Sequence, residues 1–192
     1  MADKNKEKII VKQIKDIKPL ASELKRIYLD AYQEDYLYAY RDPGRVKRYL
    51  KWLIKHADGG FFVAFDGEHP VGFIVVEANC RFQGEQVPEI HELVVDPAYQ
   101  GRGLGKLLMK TALEYLKNKG FKKVALWVGE KNESAQRFYE CLGFRVTSRQ
   151  GAWLRMEKDL QEELSSAKIS SKVSKTEKAS TTSERSMSSS GV

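Results

Sequence analysis

The sequence predicts an α/β domain in which strands and helices alternate. Hydrophobic residues change several times between strand spacing and helical spacing, in the order β-α-α-β-β-β-α-β-α-β-β. Between residues 89 and 120, a strand, a short glycine-rich loop and a long amphipathic helix follow one another directly. With 192 residues, of which 42% are apolar, the chain can form one domain around a hydrophobic core.

The first part of the chain predicts one strand and two helices. The strand begins with Ile9, Val11 and Ile14, and Asp16 is expected to cap the first helix. The second helix is predicted to open at residues 42–43, an Asp-Pro pair, and its polar side is basic. A solvated surface is the commoner reason for such a face, so a membrane or nucleic-acid contact is the less favoured interpretation. The basic residues are Arg45, Lys47, Arg48, Lys51 and Lys55.

The middle and end of the domain alternate strands with two further helices. Residues 61–65 and 71–78 predict a hairpin, and residues 82–87 read as a polar connection. The helix after the glycine-rich loop is predicted to end before Gly120. Asn132 can cap the last helix, and Gly143 stops it. The remaining strands are predicted at residues 89–95, 123–128, 144–146 and 152–156.

The composition of the chain bears on its partners, on its cellular compartment and on where the folded domain begins and ends. The net charge of +7 permits nucleic-acid or anionic-substrate binding, but solvated lysine faces are the commoner cause of such a charge. Two cysteines provide neither a disulfide framework nor a metal cluster, which suits the cytoplasm. Residues 1–8 are charged and predict a flexible amino terminus without a signal peptide, and no apolar run is long enough to cross a membrane. Residues 165–192 are rich in Ser, Thr and Lys and predict a disordered tail.

The glycine-rich loop predicts an anion site. Gly101, Gly103 and Gly105 lie where a helix begins, and the first amides of a helix have no internal partner and attract phosphate. A dinucleotide-binding fingerprint would need glycine in place of Lys106, and a Walker loop would need Ser or Thr in place of Leu107. The remaining pattern is Gln-x-x-Gly-x-Gly, over residues 100–105.

Together with a second motif, this loop resembles the GNAT (GCN5-related) N-acetyltransferase superfamily. The second motif is Asn132-x-x-Ala135-x-x-x-Tyr139-x-x-x-Gly143-Phe144, about thirty residues after the loop. The resemblance covers residues 9–160 and implies a mixed, mostly antiparallel sheet with helices on both faces, splayed at the strands that flank the loop. A bulge near Glu92 and Leu93 would let Ile90 and Leu93 share one face.

The resemblance implies that acetyl-CoA lies in the splayed cleft as the acyl donor, with no metal. Its pantetheine would pair with the backbone of the strand before the loop, and its pyrophosphate would take amides of the loop. Asn132 would contact pantetheine or close the cleft; a helix cap is an equally good role for it, and both roles can hold. The implied cofactor-binding residues are Leu93, Val94, Val95, Gln100, Gly101, Arg102, Gly103, Leu104, Gly105, Lys106, Asn132 and Tyr139.

The implied reaction is attack of an amine on the thioester. The ammonium must first lose a proton, which a carboxylate can accept. The resemblance places the base at Glu89, with Glu92 and His91 as rivals on the same strand. The backbone amide of Val94 or Val95 would donate a hydrogen bond to the tetrahedral oxyanion. Tyr139 occupies the position of the family's acid; from its spacing alone it would be a core aromatic residue.

The acceptor is where the sequence leaves most alternatives open. A small-molecule amine and a protein amine are equally compatible with it, and a homodimer is allowed. The tyrosines of residues 28–40 could wall a pocket or pack the two helices together. The alternative to an enzyme is a non-catalytic module that senses acyl-CoA or binds nucleic acid.

Overall fold

The computed structural model describes residues 9–33 and 37–161. The predicted flexible amino terminus (residues 1–8) and the predicted disordered tail (residues 165–192) lie outside the described residues. The first half comprises β1 (Ile10–Gln13), α1 (Ala21–Ala31), α2 (Pro43–His56), β2 (Phe61–Asp66), β3 (His69–Glu77), β4 (Arg81–Phe82) and β5 (Glu85–Gln86). The second half comprises β6 (Glu89–Val95), α3 (Leu104–Asn118), β7 (Lys123–Gly129), α4 (Glu133–Cys141), β8 (Arg145–Gln150) and β9 (Trp153–Asp159).

The main sheet has seven strands in the order β1-β2-β3-β6-β7-β9-β8. Every neighbouring pair is antiparallel except β6 and β7, which run parallel. Helices cover both faces: the side chains of α1 and α2 pack with one hydrophobic cluster, and those of α3 and α4 pack with the other. The predicted mixed sheet with helices on both faces is therefore confirmed.

The helix ends follow the local chemistry of the sequence. The Asp42 carboxylate accepts the Arg45 amide at 2.7 Å and starts α2, with Pro43 in its first turn. Gly120 and Gly143 follow the ends of α3 and α4 with φ of +85°, a conformation that glycine adopts without strain. Within the described residues, no helix combines the length and hydrophobicity needed to span a bilayer.

Two local expectations are corrected by the structure. Asp16 accepts the amide of Lys18 at 2.9 Å beside a 3-10 turn at Lys18–Leu20, and neither this turn nor α1, which starts at Ala21, has a side-chain cap. The predicted polar connection at residues 82–87 forms the small hairpin of β4 and β5, whose turn holds Gln83 and Gly84 at positive φ. Neither short element has a hydrophobic repeat that sequence periodicity could detect.

Candidate active site

A cleft opens where β6 and β7 part. The two strands pair only at Glu89 with Ala125 and at Ile90 with Leu126, after which β7 remains paired with β9 alone. The cleft between them has a volume of about 1410 Å³ and is lined by both strands, by the loop before α3 and by α4. Residues 93–95 of β6 therefore line a cleft on the side where β7 has moved away.

A bulge in β6 decides which side chains face this cleft. Val75 of β3 lies opposite Glu92 and Val76 lies opposite Ile90, so His91 is the extra residue. Ile90 and Leu93 consequently share the face that packs on α3, as expected. Glu92 is turned towards α1 instead, where it meets Tyr32. The bulge lies one residue before the expected place.

The loop before α3 is held in a fixed shape. Asp96 is buried; one oxygen of its carboxylate accepts the Ala98 amide at 3.0 Å, and the other accepts Arg26 of α1 at 3.0 Å. Gly101 and Gly103 have φ of +72° and +84°, and α3 begins immediately after Gly103. The chain therefore reaches the helix start through backbone conformations that only glycine adopts freely.

The start of α3 provides the chemistry of a phosphate site. Gly103 and Gly105 expose backbone rather than side chains, and the first amides of the helix carry its positive end. A phosphate fits such a site, and Lys106 adds a cation to the same lining. The Arg102 guanidinium lies 5.3 Å from the centre of the Tyr99 ring and does not line the cleft. The lining residues here are Gln100, Gly101, Gly103, Leu104, Gly105 and Lys106.

Glu92 is a buried carboxylate in the wall of the cleft. Only 9% of the residue is exposed, and its Oε2 accepts the Tyr32 hydroxyl at 2.9 Å. The Tyr49 hydroxyl also donates to it. Burial raises the pKa of Glu92 to about 7, although the two hydroxyls act in the opposite direction. A carboxyl group of this kind is able to take up and release a proton near neutral pH.

Glu89, the first residue of β6, is engaged differently. Its Oε2 accepts the Arg155 guanidinium at 3.0 Å and the Trp127 indole N–H at 3.1 Å. Its other oxygen lies 3.5 Å from Nδ1 of His91, while Nε2 of His91 contacts Glu77 at 2.8 Å. Glu89 therefore lines the cleft as one member of a charged network rather than as an unoccupied base.

Tyr139 lies on α4, where its ring packs against Phe138 and Phe144 while it also lines the cleft. Burial, and to a lesser degree the charge of Glu92, raise the pKa of Tyr139 well above its ordinary value. The hydroxyl therefore keeps its proton at neutral pH. Tyr139 is therefore both an aromatic residue that packs against the core, as its spacing predicts, and a residue that lines the cleft.

Asn132 has the structural role that its position predicts. Its side-chain oxygen accepts the Ala135 amide at 3.0 Å and caps α4. Asn132 also lines the cleft between β6 and β7, close to the start of the helix. No group of three or more His, Cys, Asp or Glu residues with metal-binding geometry occurs in the described part of the chain.

Sequence reasoning missed two participants in this site. Tyr49, which donates to Glu92, comes from α2, and only the three-dimensional packing brings it there. Arg155 of β9 is completely buried, and its guanidinium stacks 3.9 Å from the centre of the Phe82 ring. A charged residue at a core position of an apolar strand needs a partner, and this could have drawn attention to Arg155.

Comparisons with known proteins agree with this geometry. The model of the acetyltransferase (GNAT) family matches residues 21–144. The uncharacterized N-acetyltransferase MJ1207 of Methanocaldococcus jannaschii is 40% identical over 134 residues, which cover 69% of this chain and 59% of that protein. The crystal structure of PH1933 from Pyrococcus horikoshii OT3 is similar with 37% identity and a TM-score of 0.72, covering 79% of this chain and 98% of the other.

A more distant similarity concerns part of the chain. A glucosamine 6-phosphate N-acetyltransferase of Trypanosoma brucei brucei is 41% identical over 87 residues, which cover 42% of this chain and 57% of that enzyme. The chain thus spans less than two thirds of the length of this relative and of the Methanocaldococcus protein.

Proposed function

The chain belongs to the acetyltransferase (GNAT) family, and we propose that it is an N-acetyltransferase that moves the acetyl group of acetyl-CoA to a primary amine by direct attack. The observation that carries the proposal is the position of Glu92. This buried carboxylate lies in the wall of a cleft whose other end is a glycine-rich helix start. One cleft therefore combines a phosphate site with a base that titrates near neutral pH.

The donor is held along β6 and the loop. Its pyrophosphate takes amides of residues 100–106, and its pantetheine runs beside Leu93, Val94 and Val95. This pairing is supported by the parting of β6 from β7 after Ile90. Asn132 faces the donor from the start of α4, while its side chain continues to cap that helix.

Glu92 is the proposed general base. It accepts a proton from the ammonium, and the neutral nitrogen then attacks the thioester carbon. Glu92 is favoured over Glu89 because the oxygens of Glu89 are already engaged by Arg155, Trp127 and His91. Tyr32 and Tyr49 orient the carboxylate through their hydroxyls.

Tyr139 is the proposed general acid. The tetrahedral oxyanion takes an amide of Val94 or Val95, the carbon–sulfur bond breaks, and Tyr139 gives its proton to the departing sulfur. As the amide forms, the nitrogen gives up its second proton, which restores Tyr139. The proton accepted by Glu92 passes to solvent, so the products are an acetylated amine, free coenzyme A and one proton. The free thiols of Cys80 and Cys141 support a reducing, cytoplasmic setting for the reaction.

Turnover with a matched variant tests this proposal. Free thiol should appear when acetyl-CoA and pooled amines are supplied, and Tyr139→Phe should lower kcat by roughly 10²-fold or more. Titration calorimetry should show that the variant still binds acetyl-CoA, because the ring and its packing are kept. Full activity in Tyr139→Phe would return this residue to a packing role.

Measurements of binding and turnover also distinguish an enzyme from the two non-catalytic alternatives. A non-catalytic acyl-CoA sensor would bind acetyl-CoA without releasing thiol for any amine. A nucleic-acid-binding module, which the basic face of α2 would suit, would be retained on nucleic acid in a salt-dependent way without turnover. Absence of both coenzyme binding and turnover would leave only a scaffold with this fold.

A further inference from the structure

The acceptor end of the cleft has aromatic walls. A short connection between α1 and α2, residues 37–40, crosses to the far side of the cleft. There the Tyr38 ring packs against the Trp153 ring with centroids 4.9 Å apart, and its hydroxyl accepts the Lys131 amide at 3.2 Å. A Cβ on Gly129 would lie 2.3 Å from the Tyr38 ring, so Gly129 makes this docking possible. The aromatic side chains that line this end are Tyr28, Tyr32, Tyr38, Tyr40, Tyr49 and Trp153.

The charges at this end select for a cation. Glu92 lies in the wall, and Glu77 and Glu89 lie at its far side, where they contact His91. Among the described residues of the lining, Lys106 is the only lysine or arginine, and it belongs to the glycine loop. An ammonium group therefore meets the Glu92 carboxylate and aromatic faces, both of which attract it. A phosphate beside the amine would meet no lysine or arginine among the described residues that line this end.

The rim of the same end is apolar and exposed. Leu37 is 68% exposed, Tyr40 44%, Trp52 40% and Trp153 37%. Leu37, Tyr40 and Trp153 line the cleft, and the Trp52 ring lies 5.2 Å from that of His91. Exposed apolar patches around a cleft are typical of surfaces that contact other proteins, and a small amine would leave this rim uncovered.

We propose that the acceptor is the amino terminus of a polypeptide whose first residues are apolar, with its ammonium group at Glu92 and its side chains on the rim formed by Leu37, Tyr40, Trp52 and Trp153. The inference rests on the proposed acetyltransferase function. It excludes phosphorylated amino sugars, including the substrate in the name of the Trypanosoma relative.

Proton affinity favours an amino terminus over a lysine side chain. An α-amino group has a pKa of roughly 7.7–8.0, whereas that of lysine is about 10.4. Glu92, with a pKa of about 7, is close to the first group and far from the second. The equilibrium constant for proton transfer to Glu92 is therefore unfavourable by roughly tenfold for an amino terminus. For a lysine side chain it is unfavourable by more than about 10³-fold.

A matched set of acceptors tests the substrate class by thiol release. The set contains an octapeptide with a free amino terminus and three apolar first residues, and the same peptide with a blocked terminus and one internal lysine. It also contains a free peptide with two aspartates first, spermidine, and glucosamine 6-phosphate. The apolar free peptide should have the highest kcat/KM, by roughly tenfold or more over every other acceptor.

Rim variants test the docking surface. Leu37→Ser and Trp52→Ala should each raise the KM for the apolar peptide by roughly threefold to tenfold while the KM for acetyl-CoA stays unchanged. Val146→Ser is the matched control, because Val146 is 50% exposed on β8 and does not line the cleft. All three side chains are exposed, so the melting temperatures of the three variants should remain close to that of the wild type.

The outcomes separate this inference from the proposed function. Equal or better turnover of spermidine, of glucosamine 6-phosphate or of the blocked lysine peptide would overturn the peptide inference and leave the acetyltransferase proposal intact. Rim variants that behave like Val146→Ser would also overturn it. Absence of thiol release with every acceptor would contradict the proposed function itself.

Discussion

Glu89 and Glu92 show how two like residues on one strand acquire different chemistry. Glu89 balances the guanidinium of Arg155, which is fully buried and also contacts Glu157 at 3.0 Å. Among the described residues no cation contacts Glu92, and its charge is stabilised by the hydroxyls of Tyr32 and Tyr49. Burial without a counter-ion favours the neutral form, and it raises the pKa of Glu92 to about 7.

At the residue scale, Glu92→Gln should remove the rising limb from the plot of kcat/KM against pH. In the wild type, kcat/KM should rise as Glu92 loses its proton, with an apparent pKa of about 7. The glutamine variant should lose roughly 10²-fold to 10⁴-fold in kcat/KM together with this limb. Glu89→Gln and His91→Gln are the controls, and both should keep the limb. Its persistence in Glu92→Gln would assign the limb to another group.

The same substitution has a consequence for stability. The folded-state pKa of Glu92 is raised above the ordinary 4.5, so the folded protein binds this proton more tightly than the unfolded chain does. Its stabilising contribution is fully present below about pH 4.5 and is lost as pH rises to about 7. The difference in pKa corresponds to about 3 kcal/mol. Urea unfolding of Glu92→Gln should therefore show a smaller fall in stability across this interval.

At the scale of elements, local chemistry made most of the domain predictable. Asp42 and Asn132 cap their helices, and the glycines at 103, 120 and 143 take the positive φ that their positions require. The bulge at His91 is set by the pairing of β6 with β3, so the exact facing of Glu92 depends on a neighbouring strand. The contact of Tyr49 with Glu92 likewise joins residues distant in sequence, which spacing rules cannot reach.

The glycine-rich start of α3 allows a test of the proposed pyrophosphate site. Gly103→Asp should abolish acetyl-CoA binding in calorimetry, because it places a carboxylate at the proposed pyrophosphate site. Gly84→Asp in the β4–β5 hairpin is a matched control: both glycines have positive φ, +84° and +88°, and a Cβ on either would meet nothing within 4 Å. Both substitutions should lower the melting temperature to a similar small extent, and only Gly103→Asp should lose the ligand.

A third variant separates charge from shape at this position. Gly103→Asn has nearly the shape of Gly103→Asp without its negative charge. It should therefore retain more acetyl-CoA binding than the aspartate does. Equal loss in both variants would mean that the loop excludes any side chain, and undiminished binding in Gly103→Asp would contradict a pyrophosphate at this helix start.

At the scale of the molecule, the proposed donor and acceptor ends of the cleft are built largely by helices on opposite faces of the sheet. The cluster beneath α3 and α4 includes Leu108 and Leu126, and Leu93 and Tyr139 pack against it. The cluster beneath α1 and α2 includes Leu24, Leu50 and Val94. The donor loop leads into α3, whereas the aromatic side chains of the acceptor end come largely from α1, α2 and their connection. Helical and strand periodicity predicted both layers, but not which of their side chains would meet in the cleft.

The last prediction concerns the chain beyond the described domain. Within the described residues, two hydrophobic clusters form the core, and Met156 of β9 and the following Leu160 are buried in one of them. Residues 165–192 contain few large apolar side chains, so their sequence predicts little to bury. Removal of residues 165–192 should leave the melting temperature and acetyl-CoA binding nearly unchanged, as measured by calorimetry on both lengths of chain. A large fall in melting temperature would mean that this segment docks on the domain and that its predicted disorder is wrong.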